Sequence, residues 1–590
     1  MRCRLPGGLL LLVSLACVGP AAAEGPTPAP PSPFRFSILP EQWQREVPPS
    51  PATVTPSVIT RDDEVQRVTL REAIAIALEN NPGIAAQRLE PTRVEQSVLE
   101  AQGQYDPTVG GSAIWQRTVT PNPSQLAGTI TSDVAQRTFD LNLNKLFRTG
   151  TQFTLDGSAD RLDNNARYYA LRPQYTSNLG FSVVQPLLRD FGWDFSYLVV
   201  RVAERNAGAA LSQYEANLAD FVEQVVEAYW NVVRARENVE ALREAKALAD
   251  RTVQENQARV DVGLLPPVSV LEAQADAKSR ETDLILGQNT LAVNRQTLAQ
   301  LCFYRPSGTF VPRTLEPADE PAAEDVPVDV EPALETAMAE RPEIAASKQG
   351  VQARQLQERI ASNALLPRLD VVGGYGVNGL SGRTNTNTLG AGPFLASRDY
   401  GGCTFLSTDL YACPSNTRPP VLTSAYEGPE QKAWSRAFDG DFTTYSFGVQ
   451  LQVPLDNATA RSQYTRSVIE RDQAALNHRQ LLSQVTLEVR QSIADVVTSR
   501  QRIETSRVAR ELAEENLRNQ TKRHEVGMAT TKDLLDYQSR LTAARFQEVN
   551  ARIDHAIAVA RWRRAQGRLL PYFAIVLDRP GARTTPWFAF

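Results

Sequence analysis

The chain states one long pattern twice, and this repetition restricts its fold more than any other feature. Residues 72–86 read EAIAIALENNPGIAA and residues 332–346 read PALETAMAERPEIAA. At an offset of 260, Ala73, Ala77, Pro82, Ile84, Ala85 and Ala86 match Ala333, Ala337, Pro342, Ile344, Ala345 and Ala346. Pro107 and Pro367 keep that offset, and RVDVGLLPPVSVLEAQ (259–274) returns as RHEVGMATTKDLLDYQ (523–538) at an offset of 264. Two large copies describe a duplicated unit, not a solenoid of many small ones.

Each copy has the same internal order. A short helix ends near Pro82 or Pro342 and a second reaches Pro107 or Pro367, where proline closes a helix and opens an extended segment. A strand-rich insert follows and ends in VVQPLL (183–188) or LQVPLD (451–456). Then come a very long helix, a Gly-centred turn and a return helix. The first long helix, roughly residues 194–262, extends about 100 Å at 1.5 Å per residue. Its seam Leu211, Tyr214, Leu218, Phe221, Val225, Ala228, Val232, Ala235, Val239, Leu242 alternates steps of three and four, the pattern of a coiled-coil contact. Val222, Val226, Tyr229 and Val233 form a second seam, so neighbours are expected on two sides. In copy two (456–525) Leu482, Val485, Val489, Ile493 and Val496 mark the stripe until Arg500 interrupts it.

The chain begins with Arg2 and Arg4, an apolar run from Leu9 to Val18, and Ala21-Ala22-Ala23, the order of a secretory signal cut after Ala23. Cys17 offers a second reading, a lipid-modified N-terminus; simple cleavage fits better because Leu15 sits one place off the usual pattern. The chain therefore divides into a signal segment (1–23), a proline-rich linker (24–67), a first repeat (68–304), an inter-repeat linker (305–332), a second repeat (333–570) and a tail (571–590). Strands are expected at about 107–186 and 367–454, helical hairpins at about 194–301 and 456–570. Past the signal no run of 18 apolar residues occurs, so any crossing of a bilayer falls to β-strands. Tyr445–Val453 (YSFGVQLQV) and Thr151–Asp156 (TQFTLD) alternate apolar and polar, as membrane strands do. Copy two supplies two strands, near 368–378 and 443–454; copy one has room for two, plus an extra hairpin at Arg148-Thr149-Gly150. Four to six strands cannot close a barrel alone, and lipid forbids an open edge, so spanning strands imply an oligomer.

These features resemble the TolC-like outer-membrane efflux protein family over roughly residues 68–570: the duplicated helix–Pro–strand entries, the QPLL and VPL strand exits, and the two VG turns. The resemblance implies an α+β membrane protein built from a duplicated strand-pair/long-helix unit. Three copies would give four strands each to a 12-stranded transmembrane β-barrel continued by a periplasmic α-helical barrel. It implies a homotrimeric exit duct in the outer membrane of a Gram-negative-type bacterium, for efflux or type I secretion. A periplasmic adaptor and an inner-membrane pump would be its partners. Val262-Gly263-Leu264 and Val526-Gly527-Met528 are the adaptor-docking candidates, at the turns where glycine lets the chain reverse. Asp533 and Asp536, three apart and so on one helix face, match the paired acids of the periplasmic entrance, with Asp261 and Glu525 beside the turns. Ala529 stands where well-known members carry the locking arginine and His524 where they carry its aromatic partner, so the gating contacts differ here.

Composition narrows the alternatives. With 62 Lys and Arg against 67 Asp and Glu, the chain lacks the basic surface that gripping nucleic acid requires. Three histidines, no HExxH, no CxxC and no phosphate-binding Gly loop leave no metal, cofactor or enzyme chemistry to assign. The histidines, beside Arg and Asp on helices, read as solvated. Cys403 and Cys413, in a loop of an exported chain, predict a disulfide, and Cys302 a core filler. The alternative function is a structural coiled-coil protein of the periplasm without a pore. It accounts for the seams and not for the strands.

Overall fold

The computed structural model describes residues 66–575 except 124–128, 167–168, 303–314, 322–323, 325, 327–328, 386–403, 408–409 and 413–425. The expected signal with Cys17, nearly all of the proline-rich linker, and the Cys403/Cys413 pair lie outside those residues.

Each repeat enters through two helices, and in the first repeat side chains cap both. Thr69 and Glu72 form a capping box that starts α1 (Leu70–Asn80), and Asn81 Oδ1 accepts from the Gly83 and Ile84 amides to start α2 (Pro82–Gly103). The second repeat has the counterparts α6 (Val330–Glu340) and α7 (Pro342–Asn363), with Arg341 in place of the Asn81 cap. One-turn α3 (Trp193–Ser196) leads into α4 (Leu198–Asp261); α9 (Ala458–Glu525) is its equivalent. At 64 and 68 residues they measure about 96 and 102 Å.

The return helices α5 (Val268–Cys302) and α10 (Thr531–Ala565) cover only half that length, 35 residues each. α2 and α7 supply the other half by stacking end to end on them. Asn81 Nδ2 donates to the last-turn carbonyl of Leu301 at 3.2 Å, and Arg568 pairs with Glu340 at 2.9 Å. From the α4 seam, nine residues from Tyr214 to Leu242 are buried and only Leu211 is partly exposed; the second seam is buried throughout. That core packs α4 against α1, α5, α10 and α11 (Leu569–Tyr572), with Cys302 at its floor. There burial pushes the Cys302 thiol up to about 12, an unreactive filler. In α9 the seam does not stop at Val496. Ser492, Ser499 and Ser506 are buried in the same register, each hydroxyl donating back to its own helix at 2.8–3.0 Å.

Two of the three histidines correct the expectation of solvated faces, while His478 is partly exposed beside Ser347. His555 is 1% exposed between Ser499 and the Glu324 carbonyl, and His524 is 5% exposed. Both are held by neighbours that the local sequence does not reveal.

The strands form one antiparallel sheet: β2 (Thr108–Pro121), β3 (Thr131–Leu146), β4 (Gln152–Asn164), β5 (Leu171–Pro186), β7 (Arg368–Thr384) and β10 (Phe442–Gln452), in the order β10-β7-β5-β4-β3-β2. The first repeat thus contributes four strands, the two expected and the extra hairpin, which belongs to the sheet. Short β1 (Gln66–Val68) pairs in parallel with β6 (Leu315–Pro317), tying the two linkers together. β8 (Thr404–Ser407) and β9 (Leu410–Ala412) make a small hairpin between β7 and α8 (Glu430–Asp439). α8 lies across the far ends of β5 and β7: Ser381 Oγ donates to the Pro429 carbonyl and Arg436 to that of Leu380. Among the described residues no helix is long and apolar enough to cross a membrane.

Candidate functional site

Two regions carry the function-bearing geometry, the hairpin tips and the faces of the sheet. At each tip the long helix ends in the same hydrogen-bond motif. Gly263 (φ +80°) donates to Val260 O at 2.9 Å while Leu264 donates to Arg259 O at 2.8 Å. Gly527 (φ +78°) donates to His524 O at 3.1 Å and Met528 to Arg523 O at 2.8 Å. This is the left-handed cap that only glycine adopts without strain. The apolar residue after such a glycine ordinarily packs back on its helix. Here Leu264 and Met528 are 74% and 75% exposed, and Val262 and Val526 stand out beside them. The six predicted tip residues therefore form two solvent-facing apolar knuckles on rigid turns.

The two knuckles are laced side by side through residues that sequence reasoning passed over. Asn256 of α4, 1% exposed, donates to Ser269 O and to Thr531 Oγ1, both at 3.2 Å. Gln538 of α10 donates to Thr252 Oγ1 at 3.2 Å, and Arg259 to His524 O at 3.2 Å. The ring of His524 donates from Nδ1 to the Ala529 carbonyl at 3.0 Å, so these two departures from the family pattern contact one another.

Asp533 and Asp536 are both exposed, on the face of α10 opposite buried Leu534, Leu535 and Gln538. Asp533 also has a local task. Its carboxylate accepts from Thr530 Oγ1 at 2.7 Å and Thr530 N at 3.1 Å, closing the capping box of α10. The Thr530 hydroxyl, then its amide, hold this carboxyl below its ordinary value. Asp536 has no such partner among the described residues. Asp261 accepts from Gln257 at 2.8 Å, and Glu525 is exposed beside the turn.

The sheet presents two unlike faces. Tyr445, Phe447, Val449 and Leu451 of β10 lie on the same side as Leu369, Val371 and Tyr375 of β7, then Phe181 and Val183 of β5, Phe153 and Leu155 of β4, Leu141 and Leu143 of β3, and Val109 of β2. The opposite side is a polar ladder. Ser112 donates to Asp140, Thr154 to Asn144, Thr138 to Asp160, and Asn378 links Asn178 to Thr444, at 2.6–3.1 Å. One face suits hydrocarbon and the other water, the dyad of a transmembrane barrel wall.

A two-faced antiparallel sheet running into paired helices about 100 Å long, with the whole plan duplicated, defines the class of outer-membrane channels with a helical extension. The outer membrane efflux protein family matches at residues 152–302 and 416–568, just over half the chain, and the chain belongs to that family. The outer membrane protein TolC of Vibrio cholerae is 24% identical over 383 residues, which is 63% of this chain and 74% of that protein. The crystal structure of the Campylobacter jejuni CmeC outer membrane channel superposes with a TM-score of 0.59 at 15% identity, covering 87% of this chain and 91% of that one. The outer membrane protein VceC of Vibrio cholerae gives 0.56 at 17% identity, covering 84% and 96%. The chain is an outer-membrane protein of the TolC-like efflux family, and the fold class expected from the duplicated strand/long-helix unit holds, with a larger sheet than the four strands per chain that the resemblance implies.

Proposed function

We propose that three copies form a passive exit duct through the outer membrane, loaded by an inner-membrane pump through a periplasmic adaptor. The observation carrying this reading is the sheet. Its continuous apolar face and hydrogen-bonded polar face leave both edges, β10 and β2, unpaired. A lipid-embedded edge is untenable, so copies must complete the wall. The exposed knuckles Val262–Leu264 and Val526–Met528 are the adaptor-docking surface, since apolar side chains on rigid turns suit a second helical tip. Asp533 and Asp536, repeated threefold, line an acidic entrance favouring cations. The duct does no chemistry; transport work belongs to the pump.

The test is planar-bilayer conductance of the purified protein together with cross-linking of intact cells. Trimers that conduct, with cation preference reduced when Asp533 and Asp536 are both changed to Ala, support the reading. A monomer in outer-membrane fractions, or trimers silent in every tip variant, would overturn it in favour of a scaffold. Unchanged selectivity in the double variant would remove the two acids from the entrance alone.

A further inference from the structure

The extra hairpin of the first repeat is built as wall. β3 and β4 have 16 and 13 residues, and crossing the hydrocarbon needs about 9–11 in a tilted strand. Their ladders are unbroken, from Thr108↔Asn144 to Pro121↔Thr131 on one side and from Gln152↔Val184 to Leu162↔Gln174 on the other. The turn that joins them sits at the helix end of the sheet, not at the far end. Gly150 (φ +86°) donates to Phe147 O at 2.9 Å, a Cβ on it would strike the Asp190 carbonyl and Pro186, and the Thr149 carbonyl accepts from Gly192 N, on the approach to α3 and α4. A hairpin folded back from that level runs the full height of the wall.

Charge is sorted across it in the same sense. Between residues 134 and 162, the acids Asp140, Asp156 and Asp160 all lie on the polar face, while Arg137, Lys145 and Arg161 all lie on the apolar one. Arg137 and Arg161 stand directly opposite each other beyond the apolar band, beside Trp115 and Tyr175. That is an interfacial girdle of cations and aromatic rings outside, joined near the strand ends by Asp133 and Asp163, each paired with an arginine, and three carboxylates inside.

We infer that β3 and β4 are wall strands and that the partner for each sheet edge is a second copy of this chain, β10 of one pairing with β2 of the next. Resting on the trimer proposed above, three six-stranded staves close an eighteen-stranded barrel. The edges suit this union: β2 runs away from the helices, β10 runs toward them, and an even strand number keeps the seam antiparallel. Because barrel diameter grows roughly linearly with strand number, the lumen is about 1.5 times as wide as twelve strands would give. Each added hairpin brings three carboxylates into it.

The experiment uses the full-length protein in nanodiscs, with Cys403 and Cys413 changed to Ser and single cysteines introduced for an environment-sensitive fluorophore. L141C and L155C should be quenched by lipid-borne nitroxides, and N142C and S158C by water-soluble quenchers. Pairs of cysteines, one in β10 and one in β2, should cross-link only between copies. Alternation with inter-copy cross-links supports the eighteen-stranded ring. If all four hairpin sites meet water equally while β10–β2 cross-links form, the hairpin is decoration and this inference fails, though the trimer stands. Alternation without inter-copy cross-links overturns the ring and the trimeric duct together. Where a cysteine variant fails to assemble, imaging of the parent trimer in cross-section decides, by counting twelve or eighteen strands.

Discussion

Replacing Tyr229 with Phe removes one oxygen from the point where the two linkers are tied to the helical bundle. Tyr229 lies fully buried in α4, edge-on to Trp230, and burial raises its phenol so that it stays a neutral donor. Its hydroxyl meets Val68 O and Asp319 Oδ2, both at 3.0 Å, and accepts from the Asp319 amide at 3.2 Å. The acceptors survive its loss, since Val68 O still receives the Ala318 amide at 2.9 Å and Asp319 Oδ2 the Leu70 amide at 2.7 Å. Only the half-buried Asp319 N–H is orphaned. One such donor costs about 1–2 kcal/mol, so the β1/β6 strap should open about 5- to 30-fold more often. Amide exchange of Leu70, Ala318 and Asp319, compared with amides at the hairpin tips, measures this. Unchanged exchange in the strap, or equal acceleration at the tips, would refute the assignment of a local tie.

Other substitutions test other joints. Arg564 bonds to Asp220 at 2.8 Å and to Glu488, with Glu223 and Glu343 each at 3.6 Å; R564A leaves Asp220 without its arginine, and Glu488, Glu343 and Glu223 with only Arg341 and Arg561, and should cost about 3 kcal/mol, read as a lowered unfolding midpoint. Burial raises the Glu223 carboxyl despite Arg564 and Arg561, so its contribution is complete below the ordinary value of 4.5 and lost as pH rises through the folded value. E223Q should therefore gain on the parent in unfolding midpoint as pH rises above 4.5, and an advantage constant with pH would contradict this. T530A should loosen the start of α10 by about 0.5–2 kcal/mol. Asp533 is depressed, so the parent's cap holds above the ordinary 3.8 and weakens as pH falls through the folded value; exchange at Asp533 should show that acid dependence in the parent and lose it in T530A.

The parts of the molecule legible in the sequence are those whose burial is local and apolar. Tyr214 to Leu242 announce a seam because each step brings another large apolar side chain to the same side, and the VG pairs announce turns because a helix cannot continue through a left-handed residue. The α9 seam fades in the sequence because serine continues it, and a serine that bonds its own helix packs as a small residue while scoring as a polar one. Asn256, Gln538 and Arg341 look like solvated positions; the first two are buried by the other repeat and Arg341 by Glu488, about 150 residues further on, contacts that no local pattern can report. In β2 the dyad is blurred, since Ile114 sits on the polar side and Arg117 on the apolar one, where it pairs with Asp133 at 2.7 Å. The number of strands in the first repeat therefore becomes clear only from the register.

That number also follows a rule of its own. Four strands of each chain join helices: β2 receives the chain from α2, β5 delivers it toward α4, β7 receives it from α7, and β10 delivers it to α9. All four junctions must stay at one end of the sheet for the long helices to run side by side. Adding a single strand to the first repeat would deliver β5 to the wrong end and strand α4 on the far side of the membrane. A hairpin is the smallest insertion that preserves direction, and its turn, lodged against Pro186 and Asp190, shows it returning to the junction level before β5 begins. The wall can thus widen in pairs while the helical tunnel keeps its four helices per copy. The number of wall strands can therefore change without any change in the number of helices that the sheet delivers to its other end.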